Sequence, residues 1–134
     1  MKKTKILIVT VVMLLAFSVN ALAALPPTAE PLWDNTADVE SEFYFNGANS
    51  RAYATITGKS GTTRIEATLK VYRLEDSQWV YITENSASIN GGYLYIETPF
   101  AAVGGVYYKS ILVFHVTNSD GVVESLQRAK IGTP

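Results

Sequence analysis

The strongest structural signal lies in residues 63–83, TRIEATLKVYRLEDSQWVYIT, where apolar and polar side chains alternate with a period of two. On one face of its first half stand four apolar residues, Ile65, Ala67, Leu69 and Val71. The opposite face consists of Arg64, Glu66, Thr68 and Lys70. Such alternation is typical of an antiparallel β-strand with one buried and one solvated face.

The polar residues 75–78 connect this strand to a second one, so the segment predicts a β-hairpin. A register in which Leu74 faces Trp79 also pairs Tyr72 with Tyr81 and Val71 with Ile82. It places like side chains together on both faces. One face of the hairpin is then expected to consist of Tyr72, Leu74, Trp79 and Tyr81.

The period of two continues on both sides of the hairpin, over residues 39–45, 51–57, 93–97, 106–117 and 122–131, with turn residues between the segments. Residues 86–90 are predicted to form a short edge segment, and Pro99 is expected to stop the strand before it. Residues 106–117 are apolar on both faces, which indicates a central strand. No helical pattern occurs after residue 23. The sequence predicts an all-β, antiparallel β-sandwich of seven or eight strands, with a small closed β-barrel as the alternative.

Two resemblances accompany this pattern. The spread of strands from Val39 resembles an immunoglobulin-like or fibronectin type III-like module, although the cysteine pair of antibody domains is missing. Residues Thr63 to Trp79, with ATLKVYR at 67–73, resemble small exported proteins of Gram-positive bacteria that have no assigned activity. The second resemblance implies export and a β fold, and it transfers no functional residue.

The N-terminus is typical of a secretory signal peptide. Three lysines precede an apolar run over residues 6–17, and small residues follow at Ala21 and Ala23. We predict cleavage after Ala23, with Ala24 as the alternative. The expected organisation is a signal peptide over residues 1–23, an extended proline-containing arm over 24–36 and a single sandwich domain over 37–134. The product is expected to be secreted from a bacterium, or periplasmic, with no membrane attachment after cleavage.

Composition excludes several kinds of chemistry. The chain has no cysteine and one histidine, so disulfides, zinc–thiolate sites and thiol nucleophiles are impossible. Cleavage after Ala23 leaves 111 of the 134 residues and changes the formal charge from −1 to −4. Because the remaining basic residues are dispersed, no nucleic-acid partner is expected. No cofactor or metal is expected either.

Catalytic signals are weak. A register in which Thr117 faces Val122 would set His115 opposite Glu124, and we interpret that pair as structural. A glycosidase requires two carboxyls about 5–10 Å apart, and the candidates on predicted strands are Glu66, Glu84 and Glu97. Four acids near the predicted first strand, Asp34, Asp38, Glu40 and Glu42, suggest either calcium ligands or protection of a sheet edge. We favour edge protection.

Aromatic residues give the most specific functional hypothesis. Flat rings with polar tips bind sugars and partner proteins. The candidate binding residues are Tyr72, Trp79 and Tyr81 on one face, which is the best candidate surface, and Tyr93 and Tyr95 on another. The other interpretation, which we favour for these residues as a group, is that they fill the core or cover the open side of a sheet. We expect a secreted, non-enzymatic β-sandwich that binds an extracellular or cell-surface protein or glycan. The alternatives are a small secreted carboxylate-dependent hydrolase, and an inhibitor, toxin or antimicrobial protein that acts through a loop at Thr98–Gly105. The sequence predicts no oligomeric state.

Overall fold

A computed structural model describes residues 33–134. The predicted signal peptide and residues 24–32 of the predicted arm lie outside these described residues. Seven strands and one 3₁₀ turn follow in chain order: β1 (Thr36–Tyr44), the turn (Gly47–Asn49), β2 (Ser50–Gly58), β3 (Thr62–Glu75), β4 (Gln78–Ile89), β5 (Tyr93–Phe100), β6 (Tyr108–Asn118) and β7 (Val123–Gly132).

The strands form two open antiparallel sheets, one of three strands in the order β1-β2-β5 and one of four in the order β4-β3-β6-β7. This confirms the all-β antiparallel sandwich with seven strands. The barrel alternative is wrong, since within residues 33–134 no hydrogen-bonded strand pair joins the two sheets. The predicted central strand, β6, does lie inside its sheet. No helix in residues 33–134 is long and apolar enough to cross a membrane.

The core lies between the two sheets and follows from the period of two. Strands β2, β3, β5 and β6 send alternate apolar side chains inward, so that Leu69, Leu112 and Phe114 from the larger sheet and Ile56 and Ile96 from the smaller one are buried. Thr98 of β5 donates its hydroxyl to the Leu69 carbonyl at 2.8 Å and thereby links the sheets. One end of the core is aromatic, with ring centroids 5.0–6.3 Å apart among Phe43, Phe45, Phe100 and Tyr108.

The β3–β4 hairpin has the predicted register at its tip, where Leu74 pairs with Trp79 and Tyr72 with Tyr81. The predicted Val71–Ile82 pair is wrong, because Val71 pairs with Thr83 and Ile82 is an extra residue in β4. Such a β-bulge inserts one residue into one strand of a pair. Strand β4 then continues unbroken to Ile89, so the expected separate edge segment at residues 86–90 does not exist.

The β6–β7 register differs from the expected one by a residue. Thr117 pairs with Val123 and His115 with Ser125, so the expected opposition of His115 and Glu124 is wrong. The loop explains the shift. Gly121 donates to the Asn118 carbonyl at 3.0 Å with φ +77°, and Asn118 donates to the Val122 carbonyl at 3.1 Å. This is a three-residue hairpin loop with a left-handed glycine, and it displaces the pairing by one position.

Strand β5 passes through Pro99 and ends at Phe100, so the proline does not stop it as expected. Pro99 pairs with Arg51 of β2. Since β5 is an edge strand, the nitrogen of a proline facing outward breaks no ladder hydrogen bond.

Residues before β1 are fastened to the β6–β7 hairpin by a group that we call the Glu124 clasp: Asp34, Asn35, Thr36 and Glu124. The Glu124 carboxylate accepts hydrogen bonds from the backbone of Asp34 at 2.7 Å, the backbone of Asn35 at 3.1 Å and the Thr36 hydroxyl at 2.6 Å. Buried Asn35 also donates to the carbonyls of Val116 and Val122. The clasp joins the first strand of one sheet to the last strand of the other.

Candidate functional site

A partly exposed group of aromatic residues, in which Tyr72 and Trp79 are half-buried, occupies one end of the outer face of the four-stranded sheet. We call Tyr72, Leu74, Trp79, Tyr81 and Lys109 the aromatic end. Tyr72 and Tyr81 pair across β3 and β4, and their rings meet edge to face at a centroid distance of 5.9 Å. Tyr81 is 50% exposed, so this part of the sheet presents ring surface to solvent.

The bulge at Ile82 determines which side chains share this face. Before it, Trp79 and Tyr81 pair with Leu74 and Tyr72. After it, the outward partners in β4 become Glu84, Ser86 and Ser88, opposite Lys70, Thr68 and Glu66. An extra residue shifts the alternation by one, and later side chains would otherwise point to the other face. The bulge therefore places the aromatic pair and a polar row on one surface.

Lys109 of β6 fixes the aromatic end from the neighbouring strand. Its ammonium lies 4.7 Å from the Trp79 ring centroid and 5.5 Å from that of Tyr72. Cation–π attraction of this kind stabilises the rings and places a hydrogen-bond donor among them. Tyr81 points toward Glu84 along its own strand, and desolvation together with the Glu84 carboxylate raises the pKa of the Tyr81 hydroxyl.

A shallow polar depression of about 400 Å³ lies farther along β3 and β4 on the same outer face, beyond the Lys70–Glu84 pair. Polar side chains dominate its lining, which consists of Glu66, Ala67, Thr68, Ser86, Ala87, Ser88 and His115. The Thr68 and Ser86 hydroxyls lie 2.8 Å apart and bond to each other. We call this region the polar depression. It offers hydroxyl, carboxylate and imidazole groups along the strand direction that leads to the aromatic rings.

His115 lies at one side of the depression, opposite Glu66 of β3 and Ser125 of β7. Its Nδ1 atom is 2.7 Å from the Ser125 hydroxyl. Glu66 bonds to Arg64 at 2.9 Å, and this contact lowers the pKa of the Glu66 carboxyl while raising that of the guanidinium. Ser125, His115 and Glu66 thus have the composition of a serine–histidine–carboxylate set. They lie on an open sheet face, however, and the Glu66 carboxylate is already bonded to Arg64.

The three candidate glycosidase carboxylates do not face one another across a cleft. Glu66 and Glu84 lie on the outer face of the larger sheet, and Glu97 lies on the smaller one. Glu97 forms an ion pair with Arg51 at 3.5 Å and accepts a hydrogen bond from Tyr95 at 2.8 Å. Their arrangement therefore lacks the facing pair that glycoside hydrolysis requires.

The acids near the N-terminus lie along a sheet edge. β1 is an edge strand, and Asp38, Glu40 and Glu42 are exposed on it. Exposed charges on an edge discourage pairing with other chains. Within residues 33–134, no three histidine or carboxylate side chains converge to hold a metal ion.

Tyr93 and Tyr95 lie on the opposite surface of the sandwich from the aromatic end. They are 55% and 46% exposed on β5, and the Tyr95 ring lies 6.4 Å from that of Tyr53 on β2. Desolvation and the hydrogen bond to Glu97 raise the pKa of the Tyr95 hydroxyl. The five predicted binding residues thus form two separate surfaces, with Tyr72, Trp79 and Tyr81 together and Tyr93 and Tyr95 apart from them.

Sequence reasoning did not find two further members of the exposed surface around the aromatic end. The Tyr107 carbonyl accepts a hydrogen bond from the Leu74 backbone at 2.9 Å, and Tyr107 is 51% exposed. Ile131 of β7 pairs with Lys109 and is 55% exposed. The position of Tyr107 was not predicted because Tyr107 follows a glycine-containing loop. That of Ile131 was not predicted because the β6–β7 register differs by one residue from the expected one.

No family model and no curated protein matches this chain. Among solved structures, it is similar to the solution structure of AT1g01470 from Arabidopsis thaliana, with 10% identity and a TM-score of 0.41 over 81% of this chain and 85% of the other. It is also similar to the sporulation control protein Spo0M from Bacillus subtilis, with 16% identity and a TM-score of 0.34 over 72% of this chain and 49% of the other. At these values neither likeness bears on function.

Proposed function

We propose that this chain is a secreted, non-enzymatic bacterial protein that binds an extracellular glycan across the outer face of its four-stranded sheet. One observation carries the proposal: the bulge at Ile82 brings a partly exposed aromatic group and a hydroxyl-lined depression onto one surface. Sugars bind where an aromatic ring covers an apolar face and polar side chains meet the hydroxyls.

The dimensions suit a chain of sugars rather than a single ring. Six residues along β3 separate Glu66 in the polar depression from Tyr72 at the aromatic end, which is about 20 Å at the usual rise per residue. The surface is open rather than enclosed, so a polymer can lie across it without threading. Sites for small molecules are usually deeper and more enclosed.

Export and the non-enzymatic character belong to the same proposal. The leader-like residues 1–23 support secretion, with the periplasm as the alternative location. The separated, arginine-paired carboxylates Glu66 and Glu97 support binding over hydrolysis. The strand orders of the two sheets support grouping the fold with immunoglobulin-like or fibronectin type III-like modules.

The proposal is tested by binding of the secreted chain to a panel of cell-wall and capsular polysaccharides, measured by co-sedimentation and calorimetry. We expect Trp79→Ala and Tyr81→Ala each to weaken binding about tenfold, since loss of one stacking ring removes on the order of 1.4 kcal/mol. Tyr93→Ala is the matched control, because Tyr93 is equally exposed on the other sheet.

Two results would contradict the proposal. One is the absence of binding to every polysaccharide in the panel. The other is equal weakening by Tyr93→Ala and Tyr81→Ala, which would place the ligand elsewhere. If a protein from culture supernatant binds instead, and Tyr81→Ala abolishes that binding, then the same face serves a protein partner.

The loop between β5 and β6 supports a second proposal, a secreted inhibitor that docks through Val103. This side chain is 57% exposed on a fastened loop, in which Ala102 donates to the Gly47 carbonyl and Val103 to the Tyr108 hydroxyl. A rigid exposed apolar tip loses little conformational entropy on docking. If Val103→Asp left every extracellular inhibition assay unchanged, this second proposal would be discarded.

A further inference from the structure

The edge of the four-stranded sheet at β7 is built differently from the edge at β1. Within the described residues β7 pairs with β6 alone. Its outward side chains are uncharged, namely Val123, Ser125, Gln127, Ala129 and Ile131. Val123 and Ile131 are each 55% exposed. Natural sheet edges usually carry charges or proline that prevent pairing. The charged residues of β7, Glu124, Arg128 and Lys130, lie in its inward row, and its outward row carries neither a charge nor proline.

The free backbone groups of β7 belong to the same five residues. Asn118 donates to the Val122 carbonyl, so these two form a hydrogen-bonded pair at the start of the ladder. Bonded and non-bonded pairs alternate in an antiparallel ladder, and the β6–β7 register has no break. The odd-numbered residues of β7 therefore direct their N–H and C=O groups away from β6, toward the open edge.

The sequence of β7 is complementary to itself in the antiparallel direction. Around Gln127 as centre, Val123 falls opposite Ile131, Ser125 opposite Ala129 and Glu124 opposite Lys130. The two most exposed apolar residues of β7 meet each other, Arg128 falls opposite Leu126, and no two like charges lie directly opposite each other. Self-pairing of β1 would instead bring Glu40 and Glu42 close to their own copies, which is unfavourable.

We propose that a second copy of this chain pairs its β7 with β7 of the first, antiparallel, about a two-fold axis at Gln127. The paired strands would join two four-stranded sheets into one continuous eight-stranded sheet, an isologous contact that closes on itself. The interface is about 30 Å long but only one strand wide. We therefore expect monomer and dimer to be in an equilibrium that shifts with protein concentration. It aligns two outer faces, but it does not depend on glycan binding.

The missing cysteines make a direct test possible. In this register the two Gln127 Cα atoms are about 5.5 Å apart, which is within the range of a disulfide. We expect Gln127→Cys to form a disulfide-linked dimer under mild oxidation, seen on a non-reducing gel. Ala129→Cys is the matched control. Its two introduced cysteines lie about 13 Å apart along the strands, so this variant should form no disulfide and should run as a monomer on the same gel. The double variant Ser125→Cys with Ala129→Cys should again form a dimer.

Analytical ultracentrifugation tests the proposal without cysteines. We expect the wild-type mass to double with rising concentration. Gln127→Lys should stay monomeric, since it places two ammonium groups together at the axis. Gln78→Lys, at the exposed start of β4, is its control and should dimerise as the wild type does. A wild type that remains a monomer at millimolar concentration, equal dimerisation of Gln127→Lys, or equal cross-linking of Ala129→Cys would each overturn the proposal.

Discussion

At Gly58, the end of β2 has no space for even one carbon atom. A Cβ there would lie 2.2 Å from the Thr62 hydroxyl oxygen and 2.7 Å from the Thr62 Cβ. The Thr62 hydroxyl in turn donates to the Lys59 carbonyl at 2.7 Å and closes the β2–β3 turn. The side chain of Thr62 is therefore held where a substituted Gly58 would collide with it.

We predict that Gly58→Ala lowers the free energy of unfolding by about 1–3 kcal/mol, as overpacking of a tight site does. Urea denaturation followed by tryptophan fluorescence measures this. Gly104→Ala is the control, because nothing lies within 4 Å of a Cβ there. A Gly58→Ala midpoint equal to that of Gly104→Ala would show that Thr62 moves aside without cost.

Glu124 makes the stability of the protein depend on pH. Desolvation raises the pKa of its carboxyl, but hydrogen bonds from Thr36, Asp34 and Asn35 outweigh this and bring the pKa below the ordinary 4.5. A folded pKa below the unfolded one stabilises the protein above the unfolded pKa. This stabilisation is lost as the pH falls through the folded pKa.

We therefore expect Glu124→Gln to cost about 1 kcal/mol at pH 7, and the difference from wild type to shrink as the pH falls below 4.5. Urea denaturation of both proteins at several pH values measures it. Asp120→Asn, in an exposed turn, is the control. A difference that stays constant down to pH 3 would contradict the role of the ionised carboxylate.

At the scale of an element, the tip of the β3–β4 hairpin is strained. Asp76 and Ser77 both have positive φ, 47° and 65°, in a two-residue turn between Glu75 and Gln78. Such turns favour asparagine followed by glycine, because other residues adopt this conformation at a cost. The sequence therefore keeps a hairpin whose turn residues are not the best ones available.

Replacing Asp76 and Ser77 by asparagine and glycine should raise the free energy of unfolding by about 1 kcal/mol. Thermal unfolding followed by circular dichroism measures the gain. The control is Ser119→Gly in the β6–β7 loop, where the native φ is not positive and glycine should give no gain. Equal melting temperatures of the turn variant and the wild type would exclude strain at this tip.

Element by element, the sequence predicted what local patterns control. Alternation identified the inward row of β3, and matching of aromatic partners found the pairing of Tyr72 with Tyr81. Neither pattern predicted the bulge at Ile82, because a bulge interrupts the alternation and the pairing on which both patterns depend. They also missed the β6–β7 register, where the left-handed Gly121 lengthens the effective turn.

At the scale of the whole molecule, the sequence predicted two layers and two separate aromatic faces, but not that these faces lie on different sheets. Tyr81 and Tyr93 are similarly exposed and lie on different sheets, and only the strand order shows this. The Glu124 clasp was also invisible, since Thr36 and Glu124 are 88 residues apart in the sequence. Contacts between distant residues leave no periodic trace in a single chain.

The clasp has a mechanical consequence. Strands β1 and β7 run side by side in the same direction, with Thr36 bonded to Glu124 at one end and Glu42 to Lys130 at 3.0 Å near the other. These two strands form one corner of the sandwich, and Trp33 and Gly132 lie toward its opposite ends. A force that pulls Trp33 away from Gly132 loads the corner in shear, so its contacts must rupture together rather than in succession. The corner between β1 and β7 therefore resists a pull along the strands more strongly than a pull that peels β1 away from one end.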